Sequence, residues 1–158
     1  MKLSTKGRYA VTAMAHIALR CVQNTKARVT LSEIAEAQDI SLPYLEQIFV
    51  KLRKADLVAG ARGPNGGYQL SRPPEAIPVS DIMAAVDETL NAAQCSGQVS
   101  QGCAGQRAAC LTHDLWEQLS AQVHLYLHSV SLADVIAKRL TPCAAMANFT
   151  ELMEAEKS

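Results

Sequence analysis

Three cysteines and a histidine fall close together as Cys95-x₇-Cys103-x₆-Cys110-x₂-His113. Thiolates with one imidazole are soft to borderline donors, which suit iron–sulfur centres and zinc. A structural zinc site usually contains a short Cys-x₂₋₄-Cys knuckle, and no two cysteines are that close here. A long loop with Gly97, Gly102 and Gly105 suits the wider ligand spread of an iron–sulfur cluster. The spacing alone leaves an iron–sulfur cluster, zinc, thiol redox chemistry and free cysteines open. Two further cysteines make five, an odd number that excludes a complete intrachain disulfide framework. Cys21 lies on an apolar stripe and reads as a small core residue, and Cys143 is assigned no role. His124 and His128 stand four apart, with no acidic residue between them and no third ligand nearby, so they read as a solvated or interfacial helix face.

A second set of residues could read nucleic acid. After Ser41 the outward positions of a helix include Tyr44, Glu46, Gln47 and Lys51. Gln47 can pair bidentately with adenine, while Glu46 can only accept and so favours the amino group of cytosine. Lys51, Arg53 and Lys54 suit phosphates, an affinity that weakens with salt. Arg62, followed by Gly63, is placed to enter a minor groove.

These residues need elements to hold them. Tyr9, Ala10, Ala13, Met14, Ile17, Ala18 and Cys21 recur at helical steps and predict one buried face over residues 5–22. Thr30-Leu-Ser-Glu33 is a capping box that opens a short helix to about residue 38. A tight turn at Asp39-Ile40 leads to a helix capped by Ser41, with Pro43 in its first turn and Leu45, Ile48, Phe49 and Leu52 inward. Two short helices around a tight turn predict a helix-turn-helix. Residues 57–59 and 67–71 then predict a hairpin whose turn, Arg62-Gly-Pro-Asn-Gly66, makes it a wing.

The predicted fold is mainly α with a small β-hairpin: a winged helix-turn-helix plus a long C-terminal helix. The expected organisation is a DNA-binding domain at 1–74, a linking helix at 75–90, a ligand loop at 91–111, helices at 112–140 and a mobile tail at 141–158. In the fourth segment, Thr112 caps a helix to about Ser129, and Ser131 starts another to about Leu140.

Charge divides along the same line. The net formal charge is zero. Residues 1–74 hold eleven Lys and Arg against five Asp and Glu, and residues 75–158 hold four against ten. A basic half fits a polyanion, and an acidic half fits some other task. No apolar run approaches the roughly 18 residues of a membrane span, and the charged start lacks a secretory pattern. The expectation is a cytoplasmic protein with no membrane association. No nucleotide-binding glycine motif follows a strand and no nucleophile–base set is present, so an enzyme is not expected.

Several segments together resemble the iron–sulfur cluster regulators, a branch of a bacterial winged-helix repressor family. They are Lys6-Gly-Arg-Tyr-Ala-Val-Thr-Ala-Met14, Ile40-Ser-Leu-Pro-Tyr-Leu-Glu-Gln47, Arg62-Gly-Pro-Asn-Gly-Gly-Tyr68, Ala85-Val-Asp-Glu88 and Cys110-Leu-Thr-His113 with Leu115-Trp116. The resemblance implies a homodimer with one two-iron, two-sulfur cluster per subunit, ligated at Cys95, Cys103, Cys110 and His113. It implies that Ser41, Tyr44, Glu46, Gln47 and Arg62 meet double-stranded operator DNA, with Glu46 discriminating between operators. The helix after Thr112 becomes a dimerisation helix, and the two subunits would read half-sites about 34 Å or a multiple apart. A nitric-oxide-sensing branch uses an N-terminal carboxylate as ligand, but no acidic residue precedes Glu33 here. A branch tied to cysteine metabolism lacks the cluster cysteines. The implied function is a cluster-sensing transcriptional regulator, repressor or activator, of iron–sulfur biogenesis genes. The alternative is a winged-helix regulator with a zinc or thiol redox site.

Overall fold

The computed structural model describes residues 4–24, 27–64, 66–88 and 112–140. Helix α1 (Thr5–Gln23) follows Ser4, whose side chain accepts from the Gly7 amide. Its apolar stripe buries Ala10, Ala13, Met14, Ile17 and Ala18, while Cys21 is partly buried at the edge of the core. Helix α2 (Leu31–Gln38) opens on the full Thr30–Glu33 capping box. The Glu33 amide donates to Thr30 Oγ1 at 3.2 Å, and the Thr30 amide donates to Glu33 Oε2 at 2.7 Å. Those bonds satisfy two amides that a helix start leaves unpaired.

Asp39 then adopts the left-handed conformation at φ 53° and ends α2, a position an Asp tolerates better than most residues. Helix α3 (Leu42–Lys54) begins at once, with Ser41 at its N-cap and Pro43 in its first turn. Ser41 makes no side-chain capping bond, so it marks the helix start by backbone geometry alone. Leu45, Ile48, Phe49 and Leu52 are the buried face of α3. Each such side chain contributes about 1.5–3 kcal/mol when fully buried.

Strands β1 (Val58–Ala61) and β2 (Gly67–Leu70) pair antiparallel, Val58 opposite Leu70 and Ala61 opposite Gly67. Tyr68 anchors the hairpin, with its ring edge-on to Phe49 at 4.7 Å between centroids. Val29 adds a single bridge on the other side of β2, exchanging both backbone hydrogen bonds with Tyr68. Gly67 makes this approach possible. At φ +138°, a Cβ there would lie 2.9 Å from the Val29 carbonyl oxygen.

A 3₁₀ turn at Pro74–Ala76 leads to α4 (Val79–Ala85), so the linking helix expected at 75–90 is confined to seven residues, with Val86 and Asp87 forming its closing turn. Helix α5 (His113–Ser129) packs beside α4, and α6 (Leu132–Ala137) is half the length of α5's reach or less. The chain returns from α5 through an extended bridge. Val79 donates to Val130 O at 2.9 Å, and Leu132 donates to Ile77 O at 2.8 Å. That bridge lays α6 against α1. Leu132 thereby joins Ile77, Ile82 and Val86 in the same core as Met14 and Phe49. Residues distant in sequence, on both sides of Pro73-Pro74, therefore share one apolar interior.

Candidate nucleic-acid interface and ligand segment

The buried face of α3 fixes what its other side presents. Glu46 and Gln47 are exposed, and Ser41 is exposed at the helix start. Tyr44 is half-buried, its ring edge-on to Tyr9 at 5.9 Å, so contact with α1 fixes its direction. Tyr44, Gln47 and Lys51 are spaced i, i+3, i+7 and share one stripe. That stripe ends in an ion pair: the Lys51 ammonium donates to the Asp87 carboxylate at the end of α4. Lys51 therefore has a protein partner as well as the phosphate role expected of it.

Arg62 and Gly63 are exposed at the end of the hairpin, beyond the paired strands. Gly63 has φ +110°, and the Gly66 amide donates back to its carbonyl at 2.8 Å. The turn so closed holds Arg62 away from the core. A helix with a polar outer side and a following hairpin with a cation at its tip form two prongs, as major- and minor-groove contact requires.

Of the expected ligand set, Cys95, Cys103 and Cys110 lie outside the described residues. His113 is the first residue of α5, half-buried, with Nε2 3.9 Å from Glu117 Oε2. Among the described residues no three metal donors converge. Thr112 precedes α5 but does not cap it as expected. Its backbone is at φ −108°, ψ 8°, and its Oγ1 accepts from the Trp116 indole at 3.1 Å. The hydroxyl orients a side chain where a cap would bind an amide.

No residue of α5 is fully buried. Val123 and Leu127 are half-buried toward the protein, while Leu115, Leu119 and Tyr126 form a bare stripe with Trp116 beside it. His124 and His128 stack at 6.3 Å, and His128 Nδ1 lies 3.1 Å from Ser80 Oγ. That contact places His128 at the α4–α5 junction, as an interfacial helix face requires.

Residues 87 and 88 acquire roles that only the fold reveals. Asp87 is left-handed at φ 55°, and its carboxyl is held below its ordinary value of 3.8 by the hydrogen bond and charge of Lys51. Glu88 reaches the start of α1, accepting from the Ser4 amide at 2.7 Å and also from the Ser4 hydroxyl. Partial burial raises its pKa. The Ser4 bonds, Lys6 and the Gly7 amide together outweigh that burial, so the net shift is below 4.5. A carboxylate at a helix N-terminus is the favourable sign for the helix dipole. No local pattern announces an acid that caps a helix 84 residues away.

Fold and exposed residues together define a winged helix-turn-helix protein. Its sequence agrees with that class over nearly all its length: the Rrf2 family, described as an iron-dependent transcriptional regulator, matches residues 3–138. The chain belongs to the Rrf2 family. It is 53% identical over 146 residues to the HTH-type transcriptional regulator IscR of Cereibacter sphaeroides, covering 92% of this chain and 94% of that protein. It is 48% identical over 136 residues to the IscR of Aliivibrio salmonicida, covering 86% of this chain and 77% of that one. The solved structure of T. potens IscR superposes with a TM-score of 0.68 at 33% identity, covering 93% and 96% of the two chains. CymR, the global cysteine regulator of B. subtilis, superposes at 0.66 with 30% identity, covering 87% and 98%. The protein is a transcriptional regulator and not an enzyme. No helix among the described residues is long and apolar enough to cross a membrane.

Proposed function

We propose that this protein is a cytoplasmic, homodimeric DNA-binding regulator that senses iron–sulfur supply and controls iron–sulfur cluster biogenesis genes. The observation that carries the reading is the placement of His113, which opens a helix whose apolar stripe is exposed among the described residues. Ligand occupancy at that point bears directly on the helix that a second copy would cover. An uncovered stripe on one amphipathic helix suits a self-complementary two-fold contact, and two copies supply two recognition helices for two half-sites.

The donor set fits a cluster. Three thiols and one imidazole are iron–sulfur ligands, and His113 sits in the first turn of α5, where free amides favour an anionic group. Cys95, Cys103, Cys110 and His113 would hold one two-iron, two-sulfur cluster per subunit. When bound, such a group supplies a reversible occupancy that follows iron–sulfur supply. Within the chain, Ser41, Tyr44, Glu46 and Gln47 meet operator bases and backbone, and Arg62 with Gly63 meets the neighbouring minor groove. The comparison with CymR leaves ligand chemistry to the side chains, because a backbone superposition does not register cysteines. The cysteine trio favours the IscR side of that comparison.

Anaerobic purification followed by a visible spectrum and metal analysis tests the cofactor. A coloured protein with iron and sulfide supports the cluster, whereas a colourless one with stoichiometric zinc replaces it with a zinc site. Cys95, Cys103 and Cys110 changed together to Ala should alter operator affinity, and unchanged affinity for every operator removes the sensing role.

A further inference from the structure

Asp87 occupies an unusual position for a protein that grips a polyanion. Its carboxylate meets Lys51 at the far end of the stripe that also carries Tyr44 and Gln47. Lys6 adds a second positive charge within electrostatic reach. The position of Asp87 is set by backbone on both sides. Its amide donates to Ala84 O at 3.0 Å, the Glu88 amide donates to Met83 O at 3.0 Å, and the Glu88 carboxylate holds Ser4. The acid is thus fastened to the end of α4 while its side chain reaches across to α3.

A DNA phosphate and this carboxylate are rival anions for one ammonium. The rivalry is open because the pair is at the surface, with side-chain exposure of 38% for Lys51 and 73% for Asp87. Solvent screening keeps such a pair weak enough to exchange. Phosphate contacts supply affinity that is indifferent to sequence. A carboxylate that occupies one of the available cations subtracts from that affinity and leaves base contacts by Glu46 and Gln47 untouched.

We propose that Asp87 competes with the DNA backbone for Lys51 and so limits sequence-independent binding. The proposal rests on the DNA-reading role above. A purely structural ion pair, joining α4 to α3, predicts the opposite sign, because losing it would loosen α3 and weaken binding.

Asp87→Asn and Asp87→Gly both suit the left-handed backbone at this position, so folding is retained without the charge. The full-length protein is titrated against a fluorescent random-sequence 30-base-pair duplex at several salt concentrations. Both variants should bind about fivefold tighter near 0.1 M salt. The slope of log affinity against log salt should steepen by about 0.9 for each protomer engaged. In a Lys51→Ala background the same Asp87 changes should have no effect. Unchanged or weaker binding by both variants overturns the proposal, as does equal tightening with and without Lys51, which would mark a general charge effect. Failure of the wild-type protein to bind any duplex would instead overturn the DNA-reading role itself.

Discussion

Helices α3 and α5 are both amphipathic, yet the chain treats them in opposite ways. Helix α3 buries Leu45, Ile48, Phe49 and Leu52 against its own core, leaving a polar side outward. Helix α5 buries nothing completely and leaves Leu115, Leu119 and Tyr126 bare. Both carry an apolar stripe, but among the described residues that of α3 is buried and that of α5 is exposed. Among the described residues the reading head is packed within one chain, whereas the helix that opens at His113 keeps an exposed apolar stripe, as the proposed dimer contact would require. Exposed apolar surface that is contiguous and extensive is characteristic of association sites.

The contrast predicts different failures on the two helices. Phe49→Ala empties a fully buried site under Tyr68 and should cost about 3–5 kcal/mol, read as a lower urea midpoint with loss of the hairpin. Leu119→Asp should leave the helical signal and urea midpoint of the protomer nearly unchanged but give a monomer in sedimentation. Losing the second half-site contact should weaken operator binding by about 100-fold. If Leu119→Asp unfolds the protomer instead, α5 belongs to the core and the comparison breaks. Next in size is Glu46→Ala, on the exposed side of α3. It should widen the range of sequences bound, by about 1–3 kcal/mol at the affected base pair in a competition assay. Unchanged selectivity in both cluster states would remove the discriminating role of Glu46.

The smallest expected effect concerns acid. Glu88 has a folded-state pKa below its ordinary 4.5, so it favours the folded state above that value. This contribution fades as pH falls through the lower folded value. Glu88→Gln should reduce stability near neutral pH by under about 1 kcal/mol, because part of the carboxylate remains screened by solvent. Thermal melts of variant and wild type should converge as pH drops from 6 toward 3. A constant difference across that range would show that the carboxylate charge is not what holds Ser4.

Much of the reading head was legible in residue order. The Thr30–Glu33 capping box, Pro43 and the four inward residues of α3 are local patterns that hydrogen bonding and burial obeyed, whereas Ser41 starts α3 without the capping bond expected of it. The hairpin followed from glycine-rich turn chemistry for the same reason. Lys51 was legible as an outward cation but not as a paired one, because its partner lies 36 residues away on another element. Tyr44 was expected to face outward, yet it is half-buried against the core with its ring edge-on to Tyr9. Thr112 was expected to cap α5, and its bond to Trp116 prevailed.

The amino-acid sequence by itself determined which residues could read DNA and which donors could hold a cluster. It did so because helix faces, caps and ligand types are short-range properties of residue identity and spacing. Only tertiary structure decided that Leu132 returns to the core of α1, that Glu88 holds the start of that helix, and that Asp87 reaches Lys51. It also decided that, among the described residues, the α5 stripe is exposed. Those outcomes depend on which distant surfaces meet, and that is set by the packing of the whole core rather than by any stretch of residues within it.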